Sequence, residues 1–315
     1  MAGRVLIIFP GALGDLICAG PAIRTLGRMN PGAALELMAR GELADFAAGR
    51  IGVVAGHSID RREISAMFRE AGASDPAARQ FFGQFNKIFS FFAFDDPNYR
   101  RNLSLVCGGS VTFHQFRPDG EGHISELYLK SIGAGNEPVE SQIDLTPENH
   151  EAAAEVIARL DLLPDEFVML FPGSGGAKKN WPAKRFARLA LEIEDWQIEN
   201  SNNMRALVVL GPAEEDLGPL FDDFGITTVS MLSLATVASL AGFAAGFVGN
   251  DSGVSHLAAA AGASGVVIFG PTDPARWRPL GRVTVLCTPE LEALQVAPVL
   301  DALTQACAGT PGWLR

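Results

Sequence analysis

A chain of 315 residues, 48% hydrophobic and 19% charged, is long enough for about two globular domains and apolar enough to fill their cores. Its formal charge of −11 excludes a general affinity for nucleic acid, so any anionic ligand must be met by a local positive site. Cys18, Cys107, Cys287 and Cys307 lie far apart and form no C-x-x-C, which argues against a disulfide framework or a zinc site and suits a reducing cytoplasm.

The first apolar run, RVLIIF (4–9), predicts a strand and is too short for a signal peptide. The helix LICAGPAIRTLGRM (16–29) follows, then strands at ALELMA (34–39), KIFSFF (87–92) and SVTFH (110–114). HISELYLKSIGAG (123–135) closes this half as a helix ending in glycine. GNEPVESQIDLTPENH is polar, carries two prolines and reads as a linker ending in a helix cap at Thr146.

The second half repeats the plan without repeating the sequence. EFVMLFPG (166–173) predicts a strand, WPAKRFARLALEIEDW (181–196) a helix and RALVVLG (205–211) a strand. GFVG (246–249) and GVVIFG (265–270) follow, each preceded by a helix. No charge occurs from Phe224 to Asn250, a length that could span a bilayer. Its Gly, Ser and Thr break it into strand ITTVS, helix SLATVASLAG and strand GFVG, which favours buried α/β elements.

Alternating strands and helices imply parallel sheets. The expected fold is therefore α/β: two doubly wound, Rossmann-like domains facing a cleft. The first is expected over 1–145 and the second over 146–295, with a C-terminal helix near 296–315 packing back on the first.

Ligands bind such sheets at the carboxyl ends of strands. Four glycine-rich turns qualify: PGALGDL (10–16), PGSGGAKKNWP (172–182), GPAEEDL (211–217) and GNDSGVSH (249–256). Three lie in the second half, which should hold the larger ligand. PGSGGAKKNWP offers bare amides, a hydroxyl and two lysines before a helix, suited to a phosphate, although it is not a Walker A loop. A solvated loop with surface lysines is the plainer alternative. Asp15 reads either as the N-cap of the helix from residue 16 or as a general base. In GNDSGVSH no G-x-S-x-G elbow supports a hydrolase triad. There Asp251 is placed to cap a helix starting near Gly253, while Ser252 can face an anion. His256 is either a ligand contact or a buried core histidine. Glu214 can accept from ribose hydroxyls or simply favour a helix start. No D-x-D occurs anywhere in the chain, so a metal-bridged diphosphate has no evident acidic holder.

Four stretches, IIFPGALGDLICAGPAIRTL, FPGSGGAKKNWPAKRFARLA, LGPAEEDL and GNDSGVSHLAAAAGASGVVIFGPTDPARWRP, together resemble the ADP-heptose:lipopolysaccharide heptosyltransferases, glycosyltransferase family 9. D-S-G-x-S-H followed by FGPTDP is the specific part; GPAEEDL alone is weak. The resemblance implies a GT-B architecture and an inverting, metal-independent transfer of heptose from ADP-heptose to a cell-surface saccharide. It places Asp15 at the catalytic base and Lys179 on the donor phosphates. Ser174 and Gly175 fall in the phosphate-binding turn, and Glu214 at the nucleoside. Asp251 and His256, with Ser252 and Gly253 between them, fall in the donor site. The implied setting is the cytoplasm, with peripheral contact at the inner membrane where a lipid-linked acceptor would be met. No cofactor or metal is expected beyond the nucleotide sugar.

Residues 50–125 match nothing in detail. Arg61, Arg62, Arg100 and Arg101 there are candidate partners for acidic groups of an acceptor, or merely solvated arginines. The same plan would also serve a sugar-nucleotide epimerase or a non-catalytic nucleotide-sugar-binding protein.

Overall fold

The computed structural model describes residues 3–200 and 203–308. The chain forms two compact units, Met1–Val139 and Glu140–Arg315, so the division falls inside the predicted linker, a few residues before the expected boundary.

The first unit runs β1 (Arg4–Ile8), α1 (Leu13–Met29), β2 (Ala34–Ala39), α2 (Gly41–Ala47), β3 (Ala55–Ser58), α3 (Arg62–Met67), α4 (Pro76–Phe82), β4 (Lys87–Ser90), α5 (Pro97–Val106), β5 (Ser110–Phe113) and α6 (Ile124–Ser131). Its sheet has the order β3-β2-β1-β4-β5 with every neighbouring pair parallel. Strands covered on both faces must be apolar throughout, and Val5 to Ile8 and Leu35 to Ala39 are buried without a break. The one charge in that run is Glu36. β3 and the short helices α2, α3 and α4 escape the sequence reading because none carries a long periodic signal. Asp75 and Asp96 cap α4 and α5, each followed by proline at the first helical position.

The second unit runs α7 (Pro147–Arg159), β6 (Phe167–Phe171), α8 (Ala183–Asn200), β7 (Arg205–Leu210), α9 (Gly218–Asp222), β8 (Thr227–Ser230), α10 (Leu234–Phe243), β9 (Gly246–Asn250), α11 (Gly253–Ala260), β10 (Gly265–Phe269), α12 (Pro274–Trp277), β11 (Val283–Cys287) and α13 (Val296–Ala306). Thr146 is the N-cap of α7, as the sequence suggests. The sheet has the order β11-β10-β9-β6-β7-β8, again parallel throughout. β6, β9 and β10 are buried along their whole length. The uncharged stretch from Phe224 resolves into β8, α10 and β9, and among the described residues no helix is long and apolar enough to cross a membrane. The C-terminal helix, expected to return to the first unit, buries Val296, Val299, Ala302 and Leu303 in the core of the second. Residues 309–315 of that expectation lie outside the described residues.

Each sheet starts in the middle and reverses direction once, between β1 and β4 in the first and between β6 and β9 in the second. At such a switch point the turns leaving the two central strands diverge and open a crevice.

Candidate active site

In the second unit the turns after β6 and β9 meet at the switch point, and one asparagine joins them. Asn250, fully buried at the end of β9, donates from Nδ2 to the Pro172 carbonyl at 2.8 Å and accepts from the Trp181 amide at 2.9 Å. One side chain therefore holds both ends of the PGSGGAKKNWP loop. Trp181 anchors its far end: it is fully buried, packs edge-on against Phe186 at 5.0 Å, and donates from Nε1 to the Leu294 carbonyl at 3.0 Å.

With the loop so fixed, the Lys179 ammonium lies 2.7 Å from Asp251 Oδ2. Asp251 is only 6% exposed, whereas Lys179 is 37% exposed, so the carboxylate forms the floor and the cation faces outward. The sequence reading made Asp251 the cap of α11. The N-cap is instead Ser252, and the Asp251 carboxylate is committed to Lys179. Ser252 Oγ lies 3.2 Å from Ser255 Oγ, and Ser255 donates to the Asn250 carbonyl at 2.7 Å. Gly253 is the first residue of α11 and His256 is buried one turn in. Gly249 leaves the room this packing needs, since a Cβ there would stand 2.4 Å from Ser255 Oγ.

The loop's outer part is bare. Ser174 Oγ accepts from the Gly176 amide at 3.2 Å and donates to the Gly176 carbonyl at 2.9 Å. A Cβ built on Gly175 or Gly176 would meet nothing within 4 Å, which leaves the backbone of this turn open to a ligand. The third turn closes the side: a Cβ on Gly173 would fall 2.1 Å from Glu214 Cδ, so Glu214 lies directly over the start of the PGSGGAKKNWP loop. Burial there pushes the Glu214 carboxyl above its ordinary value, against an opposing bond from the Gly211 backbone. Ser174, Gly175, Lys179, Glu214, Asp251, Ser252, Gly253 and His256 thus lie on three turns gathered at one end of one sheet.

Asp15 belongs to the first unit. It is not the N-cap of α1: that residue is Ala12, and Asp15 stands at the third helical position, accepting from the Ala12 amide at 3.1 Å. Its carboxylate is 10% exposed and receives Arg117 Nη2 at 3.2 and 3.4 Å. A Cβ on Gly11 would lie 2.6 Å from Asp15 Cβ and 2.5 Å from the Phe9 ring, so the turn after β1 brings the acid tightly against the sheet end. Arg117 follows β5, far along the chain from Asp15, and no local sequence signal could have paired them.

The four arginines that the sequence offers as acceptor candidates differ in what they touch. Arg61 pairs with Glu63 at 3.0 Å and lies over the Phe81 ring at 4.2 Å. Arg62 is exposed at the start of α3. Arg101 donates to the Glu70 carbonyl and to Asn98 Oδ1 at 3.3 Å. Arg100 donates to the Phe94 carbonyl at 3.2 Å and lies over the Phe94 and Phe113 rings.

Two all-parallel Rossmann-type sheets, with glycine-rich turns gathered at the switch point of the second, have the architecture of GT-B glycosyltransferases. The profile of glycosyltransferase family 9 (heptosyltransferase) matches residues 124–298, more than half of the chain, and the chain belongs to this family. Solved structures agree in fold. A family 9 glycosyl transferase from Veillonella parvula DSM 2008 superposes with a TM-score of 0.80 at 16% identity, covering 97% of both chains. The E. coli ADP-heptose lps heptosyltransferase II gives 0.74 at 16% identity over 97% of this chain and 98% of that one. E. coli heptosyltransferase WaaC with ADP gives 0.67 at 21% identity over 95% and 98%. No curated protein sequence matches the chain. The protein is a glycosyltransferase of heptosyltransferase type, which removes the epimerase and non-catalytic alternatives.

Proposed function

We propose that this family 9 transferase moves a heptose from ADP-heptose to a saccharide of lipopolysaccharide type, with inversion at the anomeric carbon and without a metal ion. The acceptor hydroxyl oxygen forms a bond to the anomeric carbon as the bond from that carbon to the β-phosphate oxygen breaks. Asp15 takes the hydroxyl proton, and ADP leaves with the bonding electron pair. The observation that carries this reading is the Lys179–Asp251 pair at the switch point of the second sheet. An ammonium has three donors; Asp251 fixes one and leaves the others for the departing diphosphate. The N-terminus of α11, beginning at Gly253, adds backbone N–H groups of the same polarity. Lysine and helix end together take the role that a D-x-D-bound ion plays elsewhere, and the chain has no D-x-D.

Glu214 is the acceptor for nucleoside hydroxyls in this reading, and Ser174 and Gly175 line the phosphates. Arg117 holds the Asp15 carboxylate through a guanidinium that is itself 57% exposed. The enzyme works in the cytoplasm, meeting a lipid-linked acceptor at the cytoplasmic face of the inner membrane; its four free cysteines suit that compartment.

The test is ADP release from ADP-heptose with and without a deacylated lipopolysaccharide core acceptor, in EDTA and in magnesium, with the product anomer read by NMR. Acceptor-dependent release that EDTA leaves within twofold, with an inverted product, is expected. Release abolished by EDTA and restored by a divalent ion would overturn the metal-free mechanism, and a retained anomer would overturn the role of Asp15.

A further inference from the structure

Arg117 reaches Asp15 from a part of the chain without regular structure. Between β5 and α6, residues 114–123 form neither helix nor strand, and Arg117 is exposed in the middle of them. A long side chain on irregular backbone has many conformations to lose, so its meeting with one carboxylate has to be enforced from elsewhere. The contact is also a long one. A single nitrogen, Nη2, lies 3.2 and 3.4 Å from the two carboxylate oxygens, so a backbone shift of about 1 Å would open it.

Tyr128 on α6 supplies the constraint. It is fully buried, and a hydroxyl at that depth costs free energy unless it is hydrogen-bonded. Its Oη donates to the Phe116 carbonyl at 2.9 Å, on the residue just before Arg117. Its ring meets Phe9 edge-on at 5.7 Å and Phe91 at 5.9 Å, and Phe9 meets Phe116 at 5.5 Å. Phe9 leads into the turn that carries Asp15, where a Cβ on Gly11 would stand 3.0 Å from the Phe116 ring and 2.6 Å from Asp15 Cβ. The Arg117 guanidinium carbon lies 5.1 Å from the centroid of that same Phe116 ring. One aromatic group therefore holds both the turn of the acid and the segment of the arginine. The rings can pack without the Tyr128 hydroxyl; the grip on the Phe116 carbonyl cannot be made without it.

We infer that Tyr128 is a positioning residue for the transfer: its hydroxyl fixes the Phe116 carbonyl so that the Arg117 guanidinium stays on Asp15 and the carboxylate keeps one orientation. Tyr128 touches no reacting atom and acts only through Arg117. The inference rests on Asp15 as the proposed base.

The test compares kcat and the KM for ADP-heptose in wild type, Y128F, R117Q, Y128F/R117Q and D15N. In the full chain, the Arg117 Nε–Hε NMR resonance, identified by its loss in R117Q, is followed alongside. Y128F should lower kcat roughly fivefold to tenfold, the scale of one hydrogen bond, with that KM unchanged. It should lower kcat no further in the R117Q background, and the Arg117 resonance should loosen in Y128F as it does in D15N. An unchanged kcat in Y128F, an equal loss in wild type and R117Q, or a resonance unmoved by Y128F would overturn the positioning role. Those results with D15N still impaired overturn that role alone, whereas wild-type turnover in D15N removes the base and the positioning role together. In a protein that transfers no heptose the resonance decides: loosened in Y128F, it supports the constraint on Arg117 while the transfer assignment falls; unmoved, it overturns the constraint.

Discussion

Asp15 and Lys179 carry opposite halves of the proposed chemistry, and each has a structural partner that shapes what a substitution will do. Asp15→Asn keeps an oxygen for the Ala12 amide and loses only the charge paired with the half-exposed Arg117 guanidinium, so stability should fall by about 1 kcal/mol or less. Turnover should drop by about 10²–10⁴, the usual worth of a general base, with ADP-heptose affinity nearly unchanged. A turnover within a few-fold of wild type, measured beside a urea melt, would make Asp15 a helix-end residue only. Lys179→Ala removes the proposed phosphate contact, worth about 1.5–3 kcal/mol, so ADP should bind roughly 10–100-fold more weakly by calorimetry. It also strands a buried Asp251, so the melt should show a loss of about 1–3 kcal/mol. In an Asp251→Asn background the stability loss should largely vanish while the affinity loss remains, which separates the two roles.

At the scale of elements, the site exists because loops are tied to strand ends. Asn250 satisfies the Trp181 amide and the Pro172 carbonyl, and neither end of the loop is held by a regular ladder bond. Asn250→Ala leaves both groups buried without a partner and should cost about 1–3 kcal/mol. It should also weaken ADP binding although Asn250 is fully buried, because the bare Ser174–Gly176 turn and Lys179 lose their common support. Unchanged ADP affinity in a folded Asn250→Ala protein would show that the loop holds its shape unaided. The corresponding device in the first unit is Gly11, where any side chain would press on Asp15 and Phe9 together.

For the molecule as a whole, the acidic surface makes each internal ion pair count. One such group joins three adjacent strands: Arg4 on β1 and His57 on β3 both reach Glu36 on β2, with Arg4 Nε and His57 Nε2 each 2.7 Å from a carboxylate oxygen. Burial pushes the Glu36 carboxyl upward, but the bonds from Arg4 and His57 outweigh it and leave it below its ordinary value of 4.5. A folded pKa below the unfolded one adds stability that is present above about pH 4.5 and is lost as pH falls through the folded value. Glu36→Gln should therefore be about 1–3 kcal/mol less stable at pH 7, and urea titrations should show that gap closing below pH 4.5. A gap independent of pH would assign the stability to packing instead.

The linear chain by itself determined the alternation of apolar strands and amphipathic helices, because burial on both faces of a parallel sheet writes an uninterrupted hydrophobic run into each central strand. It also determined the four glycine-rich turns, with Asp15, Lys179, Glu214 and the residues around Asp251 legible in them as chemistry out of place among apolar neighbours. Helix starts were read less well: Asp15 and Asp251 both looked like caps, because a carboxylate near a helix start resembles a cap until backbone geometry shows which residue precedes the first turn. Tertiary structure alone decided the strand order, and with it the switch points that bring β6 beside β9. It alone joined Lys179 to Asp251 and Arg117 to Asp15, pairs that lie 72 and 102 residues apart. Contacts at such separations depend on which strands become neighbours, a choice made by packing the whole sheet and not by any local run of residues.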